Sequence, residues 1–213
     1  MQSLVLSDIH FRMEKIEKAK ELIHNRGLEL ALLLGDLTQM GGAGEAKQVI
    51  EALKPTKILG IPGNFETRGV LEELERQGLS LHARKEKVGR FTLIGFGGGL
   101  WNDPGQFLFP EEEIKKSLGM LFKGEQNTIL LTHLPAFGTK MALAHNGKDI
   151  GSKAVREAIE RFQPKMHLCG HCHEGIGEEK VGKTLSINVG AVKDGNAMLL
   201  ELNGELKWER IKL

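Results

Sequence analysis

Short apolar runs that alternate with segments of helical spacing constrain the fold of this chain more than any other feature of its sequence. Six such runs lie at positions 4–6, 28–34, 57–61, 91–94, 128–131 and 165–169. Most are apolar throughout, which is typical of strands covered on both faces, and they are short for helices. The pattern therefore predicts buried strands joined by helices.

Between the runs, apolar residues recur every three or four positions. One such stripe spans residues 13–23, and another spans 155–162, where Pro164 would end the helix. A third stripe follows Pro110 and three glutamates, a favourable start because proline and acidic side chains suit the first turn of a helix. These stripes predict helices that each bury one face.

The pattern changes toward the C-terminus. Short alternating segments at 184–189, 197–202 and 205–213 are joined by glycine-containing turns such as Asn203-Gly204, which predicts a meander of antiparallel strands. Alternating strands and helices followed by such a meander favour an α/β protein with two packed sheets and outer helices. We therefore expect a four-layer α/β/β/α sandwich with two mixed sheets.

Length and composition narrow the classes of protein to consider. With 213 residues, the chain is expected to form a single domain over residues 1–213. The 29 Lys and Arg residues nearly balance 28 Asp and Glu residues, so the charge does not indicate a nucleic-acid partner. No apolar stretch approaches the roughly 20 residues that span a bilayer, and no signal peptide is expected. Having only two cysteines favours a cytoplasmic location, while the oligomeric state stays open.

Side chains able to bind a metal follow five of the apolar runs. Ligands in open α/β sheets collect beyond the carboxyl ends of the strands, so we expect these side chains to converge. Residues two apart in an extended segment face the same way, which supports pairs such as Asp8 with His10. The complete set of expected metal ligands is Asp8, His10, Asp36, Asn64, His133, His171 and His173.

The chemistry of this set restricts the metal. Carboxylate, amide oxygen and imidazole donors without a thiolate suit Mn, Fe, Ni or Zn and do not choose among them. Seven ligands exceed what one ion takes while leaving places for substrate and water. We therefore expect two divalent metal ions roughly 3.5 to 4 Å apart, with Asp36 as the natural bridge between them.

The chain resembles the calcineurin-like metallophosphoesterases through five motifs that occur in matching order. These are Asp8-Ile9-His10, Gly35-Asp36, Gly63-Asn64, Thr132-His133 and Gly170-His171-Cys172-His173. Single motifs of this length are weak signals, but five in register are strong. The similarity spans the chain and is greatest to small prokaryotic phosphodiesterase-like members, which implies the metallophosphoesterase fold and a small phosphoester substrate.

The resemblance also implies how the seven side chains are shared between two ions. The first ion would be held by Asp8, His10, Asp36 and His173. The second would be held by Asp36, Asn64, His133 and His171. A hydroxide between the ions would attack phosphorus, and the residues assigned a catalytic role are Asp36, Asn64 and His133.

One position departs from the family pattern. Many members have a histidine after the Gly-Asn pair, proposed to protonate the leaving oxygen, whereas this chain has Phe65 followed by Glu66. Phenylalanine cannot transfer a proton, and general acid catalysis is typically worth about 10² to 10⁴ in rate. Loss of this acid should slow esters with alkyl leaving groups most and favour activated or diester substrates. We therefore expect a phosphodiesterase rather than a monoesterase. Protein phosphatases of this family carry an arginine shortly after the Gly-Asp motif. Residues 37–39 of this chain are Leu, Thr and Gln instead, which argues against a Ser/Thr protein phosphatase.

Three alternatives stay open. A retromer subunit of this family serves as a binding scaffold, and the loss of the acid at Phe65 would suit such a role, although a scaffold has no need of all seven ligands. The sequence Cys169-Gly170-His171-Cys172 matches a thiol–disulfide active site, but no helix is indicated after it to stabilise a thiolate. His145, in a long loop at 135–151, is a candidate substitute acid.

Overall fold

Two large mixed β-sheets hold the apolar runs of the chain, and the structure, a computed structural model, describes residues 1–213. The first sheet has five strands, in the spatial order β13 (Lys207–Lys212), β12 (Asn196–Glu201), β1 (Gln2–Leu6), β2 (Leu30–Leu34) and β3 (Lys57–Ile61). The second has six, in the order β10 (Gly177–Val181), β11 (Thr184–Asn188), β9 (Met166–Cys169), β8 (Thr128–Thr132), β5 (Phe91–Phe96) and β4 (Arg84–Val88). A short parallel pair is formed by β6 (Gly99–Leu100) and β7 (Leu108–Phe109).

Helices cover the outer face of each sheet. The first sheet carries α1 (Met13–Arg26), α2 (Ala43–Leu53) and α3 (Arg68–Arg76), and the second carries α4 (Glu111–Leu121) and α5 (Lys153–Phe162). Short 3₁₀ turns lie at Lys140–Ala142, His173–Gly175 and Val192–Asp194. None of the helices combines the length and apolar character needed to cross a membrane.

Three apolar cores hold these layers together. The central core has 19 buried residues and joins the facing sides of the two sheets, with Leu32 and Leu59 of the first sheet packed in the same cluster as Leu131 and Leu168 of the second. Another 19 buried residues pack the first sheet against its helices, and 13 pack the second against its own. The predicted four-layer α/β/β/α sandwich is thus confirmed.

Parallel pairing brings the strand ends to one edge of the sandwich. In the first sheet β1, β2 and β3 run parallel, and in the second β5, β8, β9 and β11 run parallel. The loops that leave the carboxyl ends of these strands therefore lie together, where ligands of α/β proteins are bound.

The predicted C-terminal meander is wrong in one respect. Strand β11 lies in the second sheet and pairs parallel to β9, whereas β12 and β13 belong to the first sheet, where β12 pairs antiparallel to β1. The difference arises because β11 is largely buried and fills the place beside β9, so residues 189–195 must cross from one sheet to the other. The sequence pattern shows that strands exist but not which partner each one finds.

A buried histidine links three strands of the second sheet. The Nε2 atom of His167 lies 2.7 Å from the Thr132 hydroxyl, which in turn donates to the carbonyl oxygen of Leu134 at 2.5 Å. The Nδ1 atom lies 2.7 Å from the hydroxyl of Ser186. Burial lowers the pKa of His167 to about 3, because a charged imidazole would lose its hydration there.

This shift makes stability depend on pH in a defined direction. Between the ordinary histidine pKa of 6.5 and about 3, the unfolded chain binds a proton at His167 that the folded chain does not. We expect this residue to reduce the free energy of unfolding by up to about 1.4 kcal/mol per pH unit as the pH falls through that window. In urea unfolding series, His167→Gln should therefore show a shallower pH dependence than the wild type. The exposed His24, replaced by Gln, is the control, and equal slopes for His167→Gln and the wild type would contradict the assignment.

Candidate metal centre

The seven side chains expected to bind metal meet at the shared edge of the two sheets. Asp8 and His10 follow β1, Asp36 follows β2 and Asn64 follows β3, while His133 follows β8 and the His171/His173 pair follows β9. Four of them adopt left-handed backbone conformations that non-glycine residues seldom take, with φ of 52° at Asp8, 48° at His10, 49° at Asp36 and 65° at His171. Strain of this kind persists only where the surrounding contacts impose it, and it clusters at functional sites.

One part of the cluster joins the ends of β1 and β9. The Nε2 atom of His173 lies 3.2 Å from Oδ1 of Asp8 and 3.4 Å from Nε2 of His10. The other oxygen of Asp8, Oδ2, accepts hydrogen bonds from the Ser7 hydroxyl at 2.7 Å and from the backbone N–H of His171 at 3.1 Å. The side chains of Asp8, His10 and His173 form one group with metal-binding spacing.

A second part is centred on the amide oxygen of Asn64. This Oδ1 atom lies 2.9 Å from Nε2 of His133 and 3.0 Å from Nδ1 of His171. Nδ1 of His133 lies 2.8 Å from the carbonyl oxygen of Leu34, so its N–H donates there and Nε2 is the nitrogen that faces the cluster. Two imidazole nitrogens thus converge on one oxygen.

Asp36 lies between the two parts. Its Oδ1 accepts a hydrogen bond of 3.0 Å from the backbone N–H of Phe65, while its Oδ2 lies 3.8 Å from Nε2 of His10 and 3.6 Å from Nε2 of His133. Asp36 also belongs with Asp8 and His133 to the second group of side chains with metal-binding spacing. A single carboxylate oxygen therefore faces a histidine on each side.

The electrostatics of the cluster favour a bound cation. Burial lowers the pKa of His133, but the charges of Asp36 and Asp8, the close contact with Asp36 and the hydrogen bond to Leu34 outweigh it and raise that pKa to about 10. Burial and the neighbouring His133 instead lower the pKa of His171 to about 4, which keeps its imidazole neutral. The buried carboxylates thus attract positive charge, and carboxylate, amide and imidazole groups are a set that a divalent metal ion fits.

Burial also affects the pKa values of Asp8 and His10 in the first part of the cluster. It works against the ionisation of Asp8, but the hydrogen bond from His173 and the charges of His133 and His173 hold the pKa of Asp8 well below its usual range. Burial lowers the pKa of His10, whose Nδ1 atom is buried without a hydrogen-bond partner. A charged carboxylate and a neutral imidazole are the forms in which these residues bind metals.

Glu66 holds two loops of the site in place by accepting backbone hydrogen bonds, a role that the sequence does not reveal. Its buried carboxylate accepts hydrogen bonds of 2.9 Å from the backbone N–H groups of Asp36 and Thr38, and a further one from that of Gly63. Burial and the charge of Asp36 raise the pKa of Glu66 to about 7. The loop after β2 and the loop after β3 are therefore tied together through one side chain. Gly63 is required here, because a Cβ atom would collide with the Asp36 carboxylate.

The alternative functions considered from the sequence depend on Phe65, on His145 and on the two cysteines, and these residues lie in different environments. Phe65 lies beside the cluster, with its ring centroid 5.9 Å from that of His10. His145 is 87% exposed and lies 3.5 Å from the Glu174 carboxylate. Both cysteines are buried, and burial raises the pKa of the Cys172 thiol to about 11 and that of Cys169 well above its ordinary value. A reactive thiolate needs the opposite shift, so the thiol–disulfide alternative is not supported.

Fold and site together define a metallophosphoesterase-type sandwich. Solved structures with this fold include TT1561 of Thermus thermophilus, with a TM-score of 0.81 and 19% identity over 99% of this chain and 98% of that one. They also include an archaeal phosphodiesterase, with a TM-score of 0.59 and 16% identity over 100% of both chains. At these identities the similarity shows the fold alone.

The family is shown by sequence. The family model for calcineurin-like phosphoesterases matches residues 1–175. MJ1162, an uncharacterized protein of Methanocaldococcus jannaschii, is 30% identical over 168 residues, which are 75% of this chain and 76% of that protein. The chain belongs to the calcineurin-like phosphoesterase family, as its motifs had indicated.

The position of Glu66 generates a prediction about stability. In Glu66→Gln, an NH₂ group would be brought to a point where three backbone N–H groups already converge. We expect a loss of about 1 to 3 kcal/mol in the free energy of unfolding, because a buried donor would be left unpaired. Urea unfolding at about pH 8.5, above the raised pKa of Glu66, measures this loss. Glu72→Gln, at a site 66% exposed on α3, should change stability by less than about 0.5 kcal/mol; equal effects of the two variants would refute the bracing role.

Proposed function

We propose that this protein is a divalent-metal-dependent phosphoesterase that prefers phosphodiesters and binds two ions through its seven clustered side chains. The observation that carries this proposal is the position of Asp36 Oδ2 between His10 Nε2 at 3.8 Å and His133 Nε2 at 3.6 Å. When bound, the two ions would supply Lewis-acid stabilisation of phosphoryl oxygens and an activated water nucleophile. The ions expected for this donor set are Mn, Fe, Ni or Zn.

The side chains of the chain have separate tasks in this proposal. Asp8, His10 and His173 would hold one ion, Asn64, His133 and His171 would hold the other, and Asp36 would contact both. The hydrogen bond from His133 Nδ1 to the Leu34 carbonyl places the proton of a metal-bound imidazole on Nδ1, so that Nε2 would be the ligand atom. The orientation of His133 would thereby be fixed before the substrate arrives, which is how electrostatic catalysis avoids reorganisation.

Phe65 determines the preference for diesters in this proposal. The residue that follows Asn64 is close enough to His10 for their rings to pack edge to face, so a side chain at this position borders the ions. A phenylalanine there offers no proton to a departing oxygen. Esters whose leaving group needs no protonation should react best, and alkyl monoesters should react worst.

Replacement of Asp36 by Asn tests the metal centre directly. Asparagine keeps an oxygen that can accept the hydrogen bond from the Phe65 N–H, so the fold should be retained. The loss of the bridging charge should reduce Mn²⁺-dependent hydrolysis of bis(p-nitrophenyl) phosphate by about 10³-fold or more. Turnover and bound metal are measured together on the purified protein.

Asp194→Asn is the matched control for this variant, because Asp194 is an exposed acid in the 3₁₀ turn Val192–Asp194. It should keep wild-type turnover. Wild-type turnover in Asp36→Asn would refute the assignment of the bridge. A wild-type protein that hydrolyses no phosphoester with Mn, Ni, Zn or Fe would favour the scaffold instead.

Phe65→His tests the reason given for diester preference. A histidine would restore a proton donor, so the turnover of an alkyl monoester should rise by about tenfold or more, and by more than the turnover of bis(p-nitrophenyl) phosphate. Steady-state kinetics on both substrates measure the difference. Phe65→Leu removes the ring without adding a donor and should raise neither rate, whereas equal gains on both substrates in Phe65→His would reject the role given to this position.

A further inference from the structure

Residues 99–109, here called the clamp loop, wrap around one proposed metal ligand. The side-chain amide of Asn64 donates a hydrogen bond of 2.6 Å to the carbonyl oxygen of Pro104. The backbone carbonyl of Asn64 accepts hydrogen bonds from the N–H groups of Gln106 at 2.8 Å and Phe107 at 3.2 Å. A Cβ atom at Gly105 would collide with the Asn64 backbone, so this close approach depends on glycine. The clamp loop thus fixes both the backbone and the side-chain orientation of Asn64.

The same loop carries an acidic side chain that faces a second proposed ligand. Oδ2 of Asp103 lies 3.8 Å from Nε2 of His171, and the side chains are only 10% and 8% exposed, respectively. The carboxylate is held in place because Oδ2 also accepts a hydrogen bond of 2.7 Å from the backbone N–H of Leu100. A largely buried carboxylate and a largely buried imidazole thus lie next to each other at the site.

The two nitrogens of His171 have distinct surroundings. Nδ1 faces the Asn64 amide oxygen at 3.0 Å, so it is the nitrogen on the side of the metal centre. A nitrogen that binds a metal carries no proton, which leaves the N–H of the neutral ring on Nε2. The negative charge of Asp103, whose Oδ2 lies 3.8 Å from Nε2, favours the proton on that nitrogen.

We propose that Asp103 is a positioning residue that fixes the tautomer and orientation of His171, and that it sets the affinity of the ion held by Asn64, His133 and His171. The inference rests on the proposed metal-dependent function. The effect of Asp103 should be confined to this ion, because the hydrogen bonds of the clamp loop reach Asn64 but none of Asp8, His10 and His173. Partners that orient a ligating histidine typically change metal affinity by 10- to 100-fold when they are removed.

Asp103→Asn removes the negative charge that faces His171 while it keeps the support of the loop. Asparagine keeps an oxygen that can accept the Leu100 N–H, but it loses the charge that faces His171. In calorimetric titrations with Mn²⁺ alone, we expect the wild type to bind two ions. In the variant, one binding event should weaken by about 10- to 100-fold and the other should stay unchanged.

Two further measurements distinguish this effect from a general loss of structure. The spin-coupled Mn²⁺ pair signal in electron paramagnetic resonance should fall in Asp103→Asn at metal concentrations that fill the pair in the wild type, while the melting temperature stays the same. Asp149→Asn is the control, because Asp149 also holds a loop by accepting backbone N–H groups, from Gly138 at 2.7 Å and Gly151 at 2.8 Å. It should leave both binding events and the pair signal unchanged.

The outcomes are separable. A wild-type protein that binds fewer than two ions would refute the proposed function itself. Two unchanged affinities in Asp103→Asn, or equal weakening of both, would overturn the role of Asp103 while leaving the metal centre intact. If Asp103→Asn lowers the melting temperature, Asp103→Glu decides: recovery of the weakened event supports the inference, and failure to recover it at a wild-type melting temperature rejects it.

Discussion

The contact between one oxygen of Asp36 and two histidines is the interaction on which the rest of the site depends. Oδ2 of Asp36 faces His10 on one side and His133 on the other, while Oδ1 is held by the backbone of residue 65. Buried imidazoles and carboxylates at these separations need a counter-charge or a proton between them. Two divalent ions would satisfy this requirement for all seven side chains at once.

The fold makes this contact possible by joining both sheets at one edge. Asp36 and His10 follow strands of the first sheet, whereas His133 follows a strand of the second. The central core of 19 buried residues holds the sheets in register, and Glu66 ties two of the loops to each other. Four of the ligands adopt left-handed backbone conformations that non-glycine residues disfavour, so the geometry of the site overrides their local conformational preference.

Much of this could be predicted from the sequence, because the ligands follow apolar runs whose strand character is unambiguous. The division of the C-terminal strands between the two sheets could not be predicted, since β11 pairs with β9 whereas β12 pairs with β1 at the other end of the chain. Helix α2 (Ala43–Leu53) went unpredicted because glycines at its start weaken the helical signal. Glu66 and Asp103 gain their roles only from backbone groups and rings brought close by folding.

The most direct measurement is anomalous X-ray scattering from crystals of the protein soaked in Mn²⁺. Two anomalous peaks about 3.5 to 4 Å apart are expected. Both should contact Asp36, one lying among Asp8, His10 and His173 and the other among Asn64, His133 and His171. A single peak, or two peaks that do not share Asp36, would contradict the account.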